Sequence, residues 1–487
     1  MPPKIPRSDF LKWSALSGAA ALWGACNSPQ EKRPIPKPAV PRGQYTAAVR
    51  TNFPPLPTLY RKGEPGYDAL RSGFNKRIDR YPAAIALCTT ADDVAGAVGY
   101  ALEHRLPIAI KSGGHSFEGY SCNDDGMVIN LSRMNTIKWL DDHTIEVGPG
   151  CLLHQLYETV LPAGKILPAG SCGTVGIGGL ALGGGYGLFS RRFGLTCDSL
   201  SGLTMVDAAG RILSVRDPDR LMWACKGGGN GSFGVVTSMV FTLSGAPETL
   251  QSTRFRIRLH DPAAAVTMLE EWFDSTAALP DSCFSSYVLN GPSLYVLLTN
   301  CGPENDVVQK ITHRLAARFD RTSVGIPLPL PHAVGAFYGR PGPIYFKNAS
   351  AGFYHGFDEL RACILQVLEK VMATPGMIYQ VNTLGGRITD PALARLSSFA
   401  HRDKSYLAEL QTYWNSPSET AACVAAFNEV QQLFFHGGIT SQYTSYPDSG
   451  LANWETAYFG TNYPELQKVK RQLDPGNLFR HPQGILP

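Results

Sequence analysis

Three short segments of the sequence are rich in glycine, and each could bring bare main chain against a ligand. They are KSGGHS (111–116), GIGGLALGGGYG (176–187) and KGGGNGSFG (226–234). Glycine permits positive φ and leaves backbone N–H groups uncovered, so runs of it can form anion-binding concavities. None of the three matches a P-loop or a Rossmann fingerprint placed between a strand and a helix. Together they predict a large phosphate-bearing ligand, such as a dinucleotide, held by another scaffold.

Two side chains in or beside these segments are candidates for direct contact with that ligand. His115 follows two glycines at the end of the predicted strand LPIAIK, and Cys172 lies between AGS and GTVG. A histidine in such a turn commonly caps or packs in the core, and a buried thiol commonly behaves as a small inert hydrophobe. The residue types alone therefore leave both the ligand contact and these structural roles open.

The combination of segments resembles the berberine bridge enzyme-like group of the vanillyl-alcohol oxidase superfamily, flavoproteins that hold FAD by two covalent bonds. SGGHSFEG (112–119) resembles the segment whose histidine bonds the flavin ring methyl. The stretch from GSCGTVG to TCDSL (170–200) resembles the segment whose cysteine bonds the ring edge. MWACKGGGNGSFGVV (222–236) and the ending from NYPELQ (462–487) resemble two further signatures, in the family's order and spacing.

The resemblance implies an FAD covalently attached to His115 and Cys172, and it implies no metal. Gly173 departs from the family pattern, since many members have proline there, and this loosens the turn after the cysteine. The other cofactor contacts that the matched segments imply are Ser112, Gly113, Gly114, Ser116, Gly170, Thr174, Val175, Gly178, Gly179, Gly185, Tyr186, Gly187, Asp198, Gly231, Gly234, Val236, Asn462 and Tyr463.

Oxidation of an alcohol also needs a base that removes the hydroxyl proton. SQYTSYPDSG resembles the family's NYxD segment, which assigns the base to Tyr446, with Ser445 in place of asparagine. A phenol ordinarily titrates near pH ~10, so Lys347 in YFKNAS, which matches a lysine-bearing family segment, is expected to assist it. The alternative for Tyr446 is an ordinary strand aromatic with a hydrated hydroxyl.

A second candidate base lies in LAELQTYW (407–414), which resembles the family strand that faces the flavin. Some members carry a carboxylate base there and others a glutamine. Glu409, Gln411 and Tyr413 share one face by the two-residue period of a strand, and the resemblance leaves open which of Glu409 and Gln411 holds the critical position. The structural alternative for Glu409 is a solvated edge carboxylate.

The resemblance also bears on the electron acceptor and the substrate. Val175 matches a position where a small branched residue accompanies oxygen access, so we expect an oxidase that reduces dioxygen to hydrogen peroxide. The expected substrate is an alcohol or hemiacetal of a carbohydrate or a secondary metabolite; Phe117, where some sugar oxidases have tyrosine, weighs against a sugar. The alternatives are a natural-product oxidative cyclase or dehydrogenase with Glu409 as base, and a flavin-containing binding protein without turnover.

The elements that position these residues follow from hydrophobic patterning. Alternating helix and strand patterns predict one mixed domain over 35–245, and longer amphipathic helices over 246–440 predict an antiparallel sheet covered by helices on one side. The resemblance implies an α+β protein, in which the first domain is a two-lobed PCMH-type FAD-binding domain and the second binds substrate. Residues 441–487 are expected to return to the FAD domain and complete the active site.

Charge and cysteine content limit the partners. Lys and Arg outnumber Asp and Glu by only 44 to 40 without long basic runs, which favours a small-molecule partner and argues against nucleic acid. Eleven cysteines without a C-x-x-C pair argue against zinc and a dense disulfide framework. The hairpin pattern CFSSYVLNGPSLYVLLTNC brings its two ends together, and we hypothesise a disulfide between Cys283 and Cys301.

The first 34 residues (1–34) are typical of an export signal and linker. RSDFLKW resembles a twin-arginine signal with Ser8 at the second arginine, and LWGAC resembles a lipoprotein cleavage site that would lipidate Cys26. These features predict a periplasmic or extracellular protein, and the alternative is a short uncleaved hydrophobic tail. No other apolar run approaches the roughly 20 residues that a membrane span needs.

Overall fold

The computed structural model describes residues 52–487. The predicted export segment (1–34) and Cys26 lie outside the described residues. Within 52–487, nineteen strands form four sheets, and fourteen α-helices pack around them. None of these helices combines the length and the apolar character that a membrane crossing requires.

The strands are short in the first half of the chain and longer in the second, where one large sheet forms. Their bounds are β1 Leu59–Tyr60, β2 Ala84–Leu87, β3 Ile108–Lys111, β4 Met127–Asn130, β5 Ile137–Asp141, β6 Thr144–Val147, β7 Lys165–Ile166, β8 Leu200–Val206, β9 Ile212–Arg216, β10 Val235–Thr242, β11 Ser244–Gly245, β12 Thr249–Arg258, β13 Cys283–Asn290, β14 Ser293–Asn300, β15 Arg321–Val324, β16 Leu328–Pro329, β17 Tyr345–Tyr354, β18 Met377–Thr383 and β19 Tyr406–Trp414.

The long helices fall where the amphipathic patterns predict them, and short helices fill the turns. Their bounds are α1 Tyr67–Arg71, α2 Ala91–Glu103, α3 Leu153–Val160, α4 Ile177–Leu182, α5 Ser190–Phe193, α6 Arg220–Cys225, α7 Pro262–Thr276, α8 Asp306–Ala316, α9 Leu330–Gly335, α10 Ile364–Ala373, α11 Pro391–Arg395, α12 Thr420–His436, α13 Trp454–Phe459 and α14 Tyr463–Leu473.

The first sheet has the order β1-β2-β4-β3, in which β2, β4 and β3 run parallel. Helix α2 begins with a capping box, since the Thr90 hydroxyl accepts from the Asp93 N–H and the Asp93 carboxylate accepts from the Thr90 N–H. Its apolar face, with Val94 and Val98, is buried in the core between the first and second sheets. Strand β3 ends at Lys111, so the first glycine segment begins at the carboxyl end of a parallel strand, where α/β sheets commonly bind ligands.

The second sheet, β5-β6-β10-β8-β9, is antiparallel throughout. Two glycine segments flank it: 176–187 precedes β8 and contains α4, and 226–234 leads from α6 directly into β10. The glycines of all three segments therefore lie in the connections between strands of these sheets and not within the strands.

The third sheet is antiparallel, with the order β15-β12-β14-β13-β18-β19-β17 and β16 beside β12. Helices α7, α10 and α12 pack on one of its faces, as predicted. Strands β17 and β18 were not predicted, and they change the position of β19. Because β19 lies between them, Glu409 is buried on an interior strand, and the edge-carboxylate alternative is wrong.

The C-terminal segment returns to the first of the two predicted domains, as expected. Phe479 bridges in parallel to Ile108, next to β3. The buried Lys470 ammonium donates to the carbonyl of Ser232 (2.8 Å) and to that of Phe479 (2.7 Å), which ties α14 to the third glycine segment. The boundaries predicted at 245 and 440 stay predictions.

The predicted hairpin is present, but its disulfide is not. Both Cys283 and Cys301 are free thiols. Cys283 pairs with Asn300, so Cys301 is one position out of register and belongs to the other face of the hairpin. Its sulfur donates to the carbonyl of Ser282 (3.1 Å), and the pairing predicted from the hairpin ends is wrong by one residue.

Candidate active site

A single large cavity of about 600 Å³ lies where the predicted site residues converge. All three glycine segments line it. The opposite wall comes from the face of β17 and β19 that is not covered by helices, from the segment 443–447, and from 480–483 near the C-terminus. Residues from both predicted domains and the C-terminal segment therefore enclose one space.

Backbone contact between two glycine segments sets the geometry at one end of this cavity. A β-carbon at Gly113 would lie 2.4 Å from the main-chain nitrogen of Gly176, and one at Gly176 would lie equally close to the nitrogen of Gly113. No side chain fits at either position. The segments that carry His115 and Cys172 can approach this closely only because both positions are glycine.

The two predicted attachment residues meet at Thr174. Its Oγ1 lies 3.0 Å from His115 Nε2 and 3.7 Å from Cys172 Sγ, and both His115 and Cys172 line the cavity. Burial lowers the pKa of His115 to about 4, and burial also raises the pKa of Cys172. At neutral pH the imidazole therefore keeps a ring lone pair, and Phe74 stacks on it at 4.1 Å. His115 and Cys172 are therefore two potential nucleophiles that face the same cavity.

The cavity also fits a large polar cofactor through groups that need partners. Three buried side-chain atoms that lack hydrogen-bond partners belong to residues lining it: Asn230 Oδ1, Ser445 Oγ and His481 Nδ1. Burying a polar atom without a partner costs free energy, so these atoms indicate a ligand that supplies partners. At Gly179 a β-carbon would meet no protein atom within 4 Å, and this residue lines the cavity as well. FAD matches this combination of bare backbone and unpaired polar groups.

Most of the predicted cofactor contacts do line this cavity, and Asn230 and His481 were missed. Asn230 could have been found, because it lies inside the third glycine segment. The predicted contacts that line the cavity are His115, Cys172, Ser112, Gly113, Gly114, Ser116, Gly170, Val175, Gly178, Gly179, Gly185, Tyr186, Gly187, Gly231, Gly234 and Val236.

Four predicted cofactor residues are absent from the cavity lining: Thr174, which contacts both proposed attachment residues, and three that have partners elsewhere. The Asp198 carboxylate is held by the Arg402 guanidinium (Nη1 to Oδ2, 3.1 Å). Asn462 Nδ2 donates to the carbonyl of Ser398 (3.1 Å). Tyr463 packs against aromatic residues of α13. None of these three residues lines the cavity, and their assignment as direct cofactor contacts stays a prediction.

Tyr446 faces the cavity inside a cluster of aromatic rings. Phe117 stacks on the Tyr446 ring with a centroid distance of 5.2 Å and an interplanar angle of 13°. The Tyr446 hydroxyl oxygen lies 2.7 Å from that of Tyr186. Asn382 Nδ2 donates to the Tyr186 hydroxyl (3.0 Å). Burial raises the pKa of Tyr446 well above its usual value, and neighbouring Tyr186 and Glu409 raise it further. Tyr446 therefore stays protonated at neutral pH.

Glu409 lines the same wall, close enough to Tyr446 that each group affects the pKa of the other. Burial raises the pKa of Glu409 to about 8, and hydrogen bonds to its carboxylate, including the one from Asn348 Nδ2 (3.1 Å), oppose part of that rise. A carboxyl group that titrates near neutral pH can exchange a proton with a substrate in either direction.

Gln411 lies behind this wall rather than in it. The predicted strand face is present, since Tyr413 donates to Gln411 Oε1 (3.0 Å) and Asn348 donates to the Tyr413 hydroxyl (2.9 Å). Gln411 Nε2 in turn donates to Gln380 Oε1 (3.2 Å). Of the three residues on this face, Glu409 and Tyr413 line the cavity. Gln411 orders the amides around them.

Lys347 does not assist Tyr446 as expected. On β17, Phe346 and Asn348 face the cavity, and the alternation of a strand turns Lys347 to the opposite side. Its ammonium pairs there with the carboxylates of Glu118 and Asp448 (2.7 Å to Asp448 Oδ1) and lies over the ring of Phe427. The predicted direct role of Lys347 in lowering the pKa of the phenol is wrong.

Comparison with known proteins agrees with this architecture. A family model described as FAD binding domain matches residues 82–216, and one described as berberine and berberine like matches 442–486. The uncharacterized FAD-linked oxidoreductase YgaK of Bacillus subtilis is 30% identical over 442 residues, covering 88% of this chain and 96% of the relative. The chitooligosaccharide oxidase of Gibberella zeae is 30% identical over 447 residues, covering 85% and 89%. The crystal structure of aclacinomycin oxidoreductase superposes with a TM-score of 0.80 at 26% identity, covering 89% and 100%.

The fold and the cavity define an α+β oxidoreductase with a PCMH-type FAD-binding domain and a separate sheet facing the cofactor site. The chain belongs to the berberine bridge enzyme-like family of FAD-linked oxidoreductases. This confirms the family and fold predicted from the glycine segments.

Proposed function

We propose that this protein is an oxidase with bicovalently attached FAD that converts an alcohol or hemiacetal to the corresponding carbonyl compound or lactone and releases hydrogen peroxide. The observation that carries the proposal is the meeting of His115 and Cys172 at Thr174 on one wall of the cavity. The chemistry that FAD supplies when bound is two-electron oxidation of the substrate carbon. The reaction balances as one substrate hydroxyl plus dioxygen giving one carbonyl plus hydrogen peroxide.

In this proposal Glu409 accepts the hydroxyl proton and Tyr446 orients the hydroxyl. The choice follows from the two pKa directions, since burial raises the pKa of Tyr446 well above its usual value and raises that of Glu409 to about 8. The protonated phenol of Tyr446 can donate a hydrogen bond, whereas Glu409 is present as the carboxylate at mildly basic pH and can accept a proton. Tyr186 fixes the position of Tyr446 through the 2.7 Å contact between their hydroxyl oxygens.

The walls around this pair support a ring-shaped substrate. Phe74, Phe117, Phe346, Tyr413 and Tyr446 line the cavity, and we call them the aromatic wall. Flat aromatic faces bind sugar rings and fused ring systems through apolar contact while a few polar groups fix orientation. Similar proteins carry the names chitooligosaccharide oxidase and aclacinomycin-N/aclacinomycin-A oxidase. A carbohydrate or a glycosylated secondary metabolite is therefore the proposed substrate class.

Dioxygen is the proposed electron acceptor because Val175, the small branched residue, lines the cavity three positions after Cys172. A periplasmic or extracellular location, which the N-terminal segment predicts, forms part of the same proposal.

Mass spectrometry of the digested, purified protein tests the attachment. Flavin mass is expected on the peptides that contain His115 and Cys172. Cys172→Ala should retain flavin through His115 after denaturation, and the double variant should release it. Cys151→Ala is the matched control, since this buried thiol lies outside the cavity. Flavin absent from both wild-type peptides would contradict the proposal.

A substrate panel tests the reaction. Sugars, oligosaccharides, benzylic alcohols and glycosylated polyketides are supplied under air with peroxide detection, and again without oxygen with flavin absorbance as readout. Anaerobic bleaching with peroxide in air is the expected result. Bleaching without peroxide would indicate the dehydrogenase or cyclase alternative, and no bleaching with any compound would favour the binding protein.

A further inference from the structure

Behind the cavity lies a cluster of four charges, formed by Arg77, Glu118, Lys347 and Asp448, which we call the charge cluster; all but Arg77 are buried. The Lys347 ammonium donates to both carboxylates, and Arg77 Nη2 donates to Glu118 Oε2 (2.9 Å). The exposed fractions of the Lys347, Glu118 and Asp448 side chains are 4%, 4% and 7%. Two positive and two negative groups therefore balance inside the protein.

Three of the four members, Glu118, Lys347 and Asp448, come from distant parts of the chain, and each is next to a residue that lines the cavity. Glu118 follows Phe117, and Lys347 lies between Phe346 and Asn348. Asp448 is two positions after Tyr446, with Pro447 between them also lining the cavity. The ammonium of Lys347, near the start of β17, thus links this strand through two carboxylates to the His115 loop and to the Tyr446 segment, directly behind their cavity-facing side chains.

Electrostatics make this junction sensitive to each member. Burial alone would raise the pKa of Glu118, but the charges of Lys347 and Arg77 hold it below its usual value. Removing one partner of a buried ion pair leaves an uncompensated charge, which the protein relieves by moving the group toward water. For Asp448 such a movement would displace the segment that carries Tyr446.

We propose that Lys347 is a positioning residue. Through the charge cluster it fixes the positions of Phe117, Asn348 and Tyr446 relative to one another. The catalytic part of this inference rests on the proposed function, whereas its structural part does not. Asn348 in turn donates to Glu409, so a displaced β17 would also change the surroundings of the proposed base.

The test compares Lys347→Met and Lys347→Arg in the purified flavin-loaded protein, with hydrogen–deuterium exchange and steady-state kinetics as readouts. For Lys347→Met we expect faster amide exchange in 115–119, 345–349 and 443–450, with little change elsewhere. We also expect kcat to fall by about tenfold to a hundredfold with a smaller change in KM, because misplaced catalytic groups affect the reacting geometry more than binding. Lys347→Arg keeps the charge and should restore most of both properties.

Arg211→Met is the matched control. It removes the cation that pairs with the buried carboxylate of Asp207, and neither residue lines the cavity. It should lower thermal stability without a selective change at 443–450 and leave kcat within about twofold. Equal exchange patterns and equal kcat in Lys347→Met and Arg211→Met would overturn the proposal, since Lys347 would then only stabilise the fold.

Two further arms keep the test decisive. If Lys347→Met does not fold, Asp448→Asn, which keeps the pair of Lys347 with Glu118, should raise exchange in 443–450 selectively, and an unchanged pattern there would refute the role. If the wild type oxidises no substrate, the proposed function fails, but the exchange measurements need no substrate and still decide whether the charge cluster positions the three segments.

Discussion

Replacing Glu409 by glutamine removes the proposed proton acceptor and keeps its shape. The amide can still accept from Asn348, so the wall should stay in place. Loss of a positioned base typically costs roughly 10²- to 10⁴-fold in rate, and we expect the rate of anaerobic flavin reduction to fall within that range. In the wild type this rate should rise with pH to a plateau with an apparent pKa of about 8, as Glu409 loses its proton. In Glu409→Gln that rise should be absent.

The pH dependence of the unfolding free energy gives an independent measure of the pKa of Glu409. Glu409 has its folded-state pKa raised from 4.5 to about 8 by burial. Between these values the unfolded chain has released the proton and the folded protein retains it, so wild-type stability falls as pH increases and levels off above pH 8. At about 1.4 kcal/mol per pKa unit, the full penalty is about 5 kcal/mol, and about 3 kcal/mol of it develops between pH ~5.5 and pH ~8.5. Glu409→Gln should lack this part of the pH dependence.

The assay is urea denaturation of both proteins with flavin bound, at pH 5.5 and at pH 8.5, analysed as the change in unfolding free energy between the two conditions. Comparing changes cancels any constant effect of the substitution. If Glu409→Gln loses as much stability as the wild type over this interval, and its reduction rate keeps the same pH profile, the titrating group lies elsewhere and the reasoning about the base is wrong.

Three further predictions concern neighbouring features. Tyr446→Phe should retain covalent flavin and the pH profile governed by Glu409 while kcat falls about 10-fold to 10²-fold, because one hydrogen bond to the substrate is lost; full activity would remove Tyr446 from the mechanism. Val175→Leu should slow reoxidation of the reduced protein by air in stopped-flow measurements and leave anaerobic reduction unchanged, and unchanged reoxidation would refute the oxygen-access argument. Cys283 and Cys301 should both react with a thiol reagent after denaturation without reductant; if neither reacts, the observed register is wrong.

The sequence was most informative where local chemistry restricts the backbone. The glycines beside His115 were expected to bring bare main chain into the site, and the structure has them there. The capping box at Thr90 and Asp93 likewise depends on residues only a few positions apart. The likeness of four separated segments to one family located the cofactor cavity as well.

Prediction failed where the position of a side chain depends on strands that are distant in sequence. Lys347 looked available to Tyr446 because β17 was not predicted, and without the strand its alternation could not be known. Because neither β17 nor β18 was predicted, β19 had no neighbouring strands in the prediction, and Glu409 could be taken for an edge residue. Asp198 lies within a matched segment but turns toward Arg402, more than two hundred residues away. Such contacts are tertiary and leave no local pattern.

The contact between the Gly113 and Gly176 backbones has a consequence for how the site can vary. The spacing between imidazole and sulfur is fixed by main-chain atoms, which substitutions around them do not remove. Surrounding side chains can therefore be exchanged to admit other substrates while the two proposed attachment atoms keep their separation. Conversely, Gly176→Ala should push the two segments apart and weaken both proposed attachments in one step.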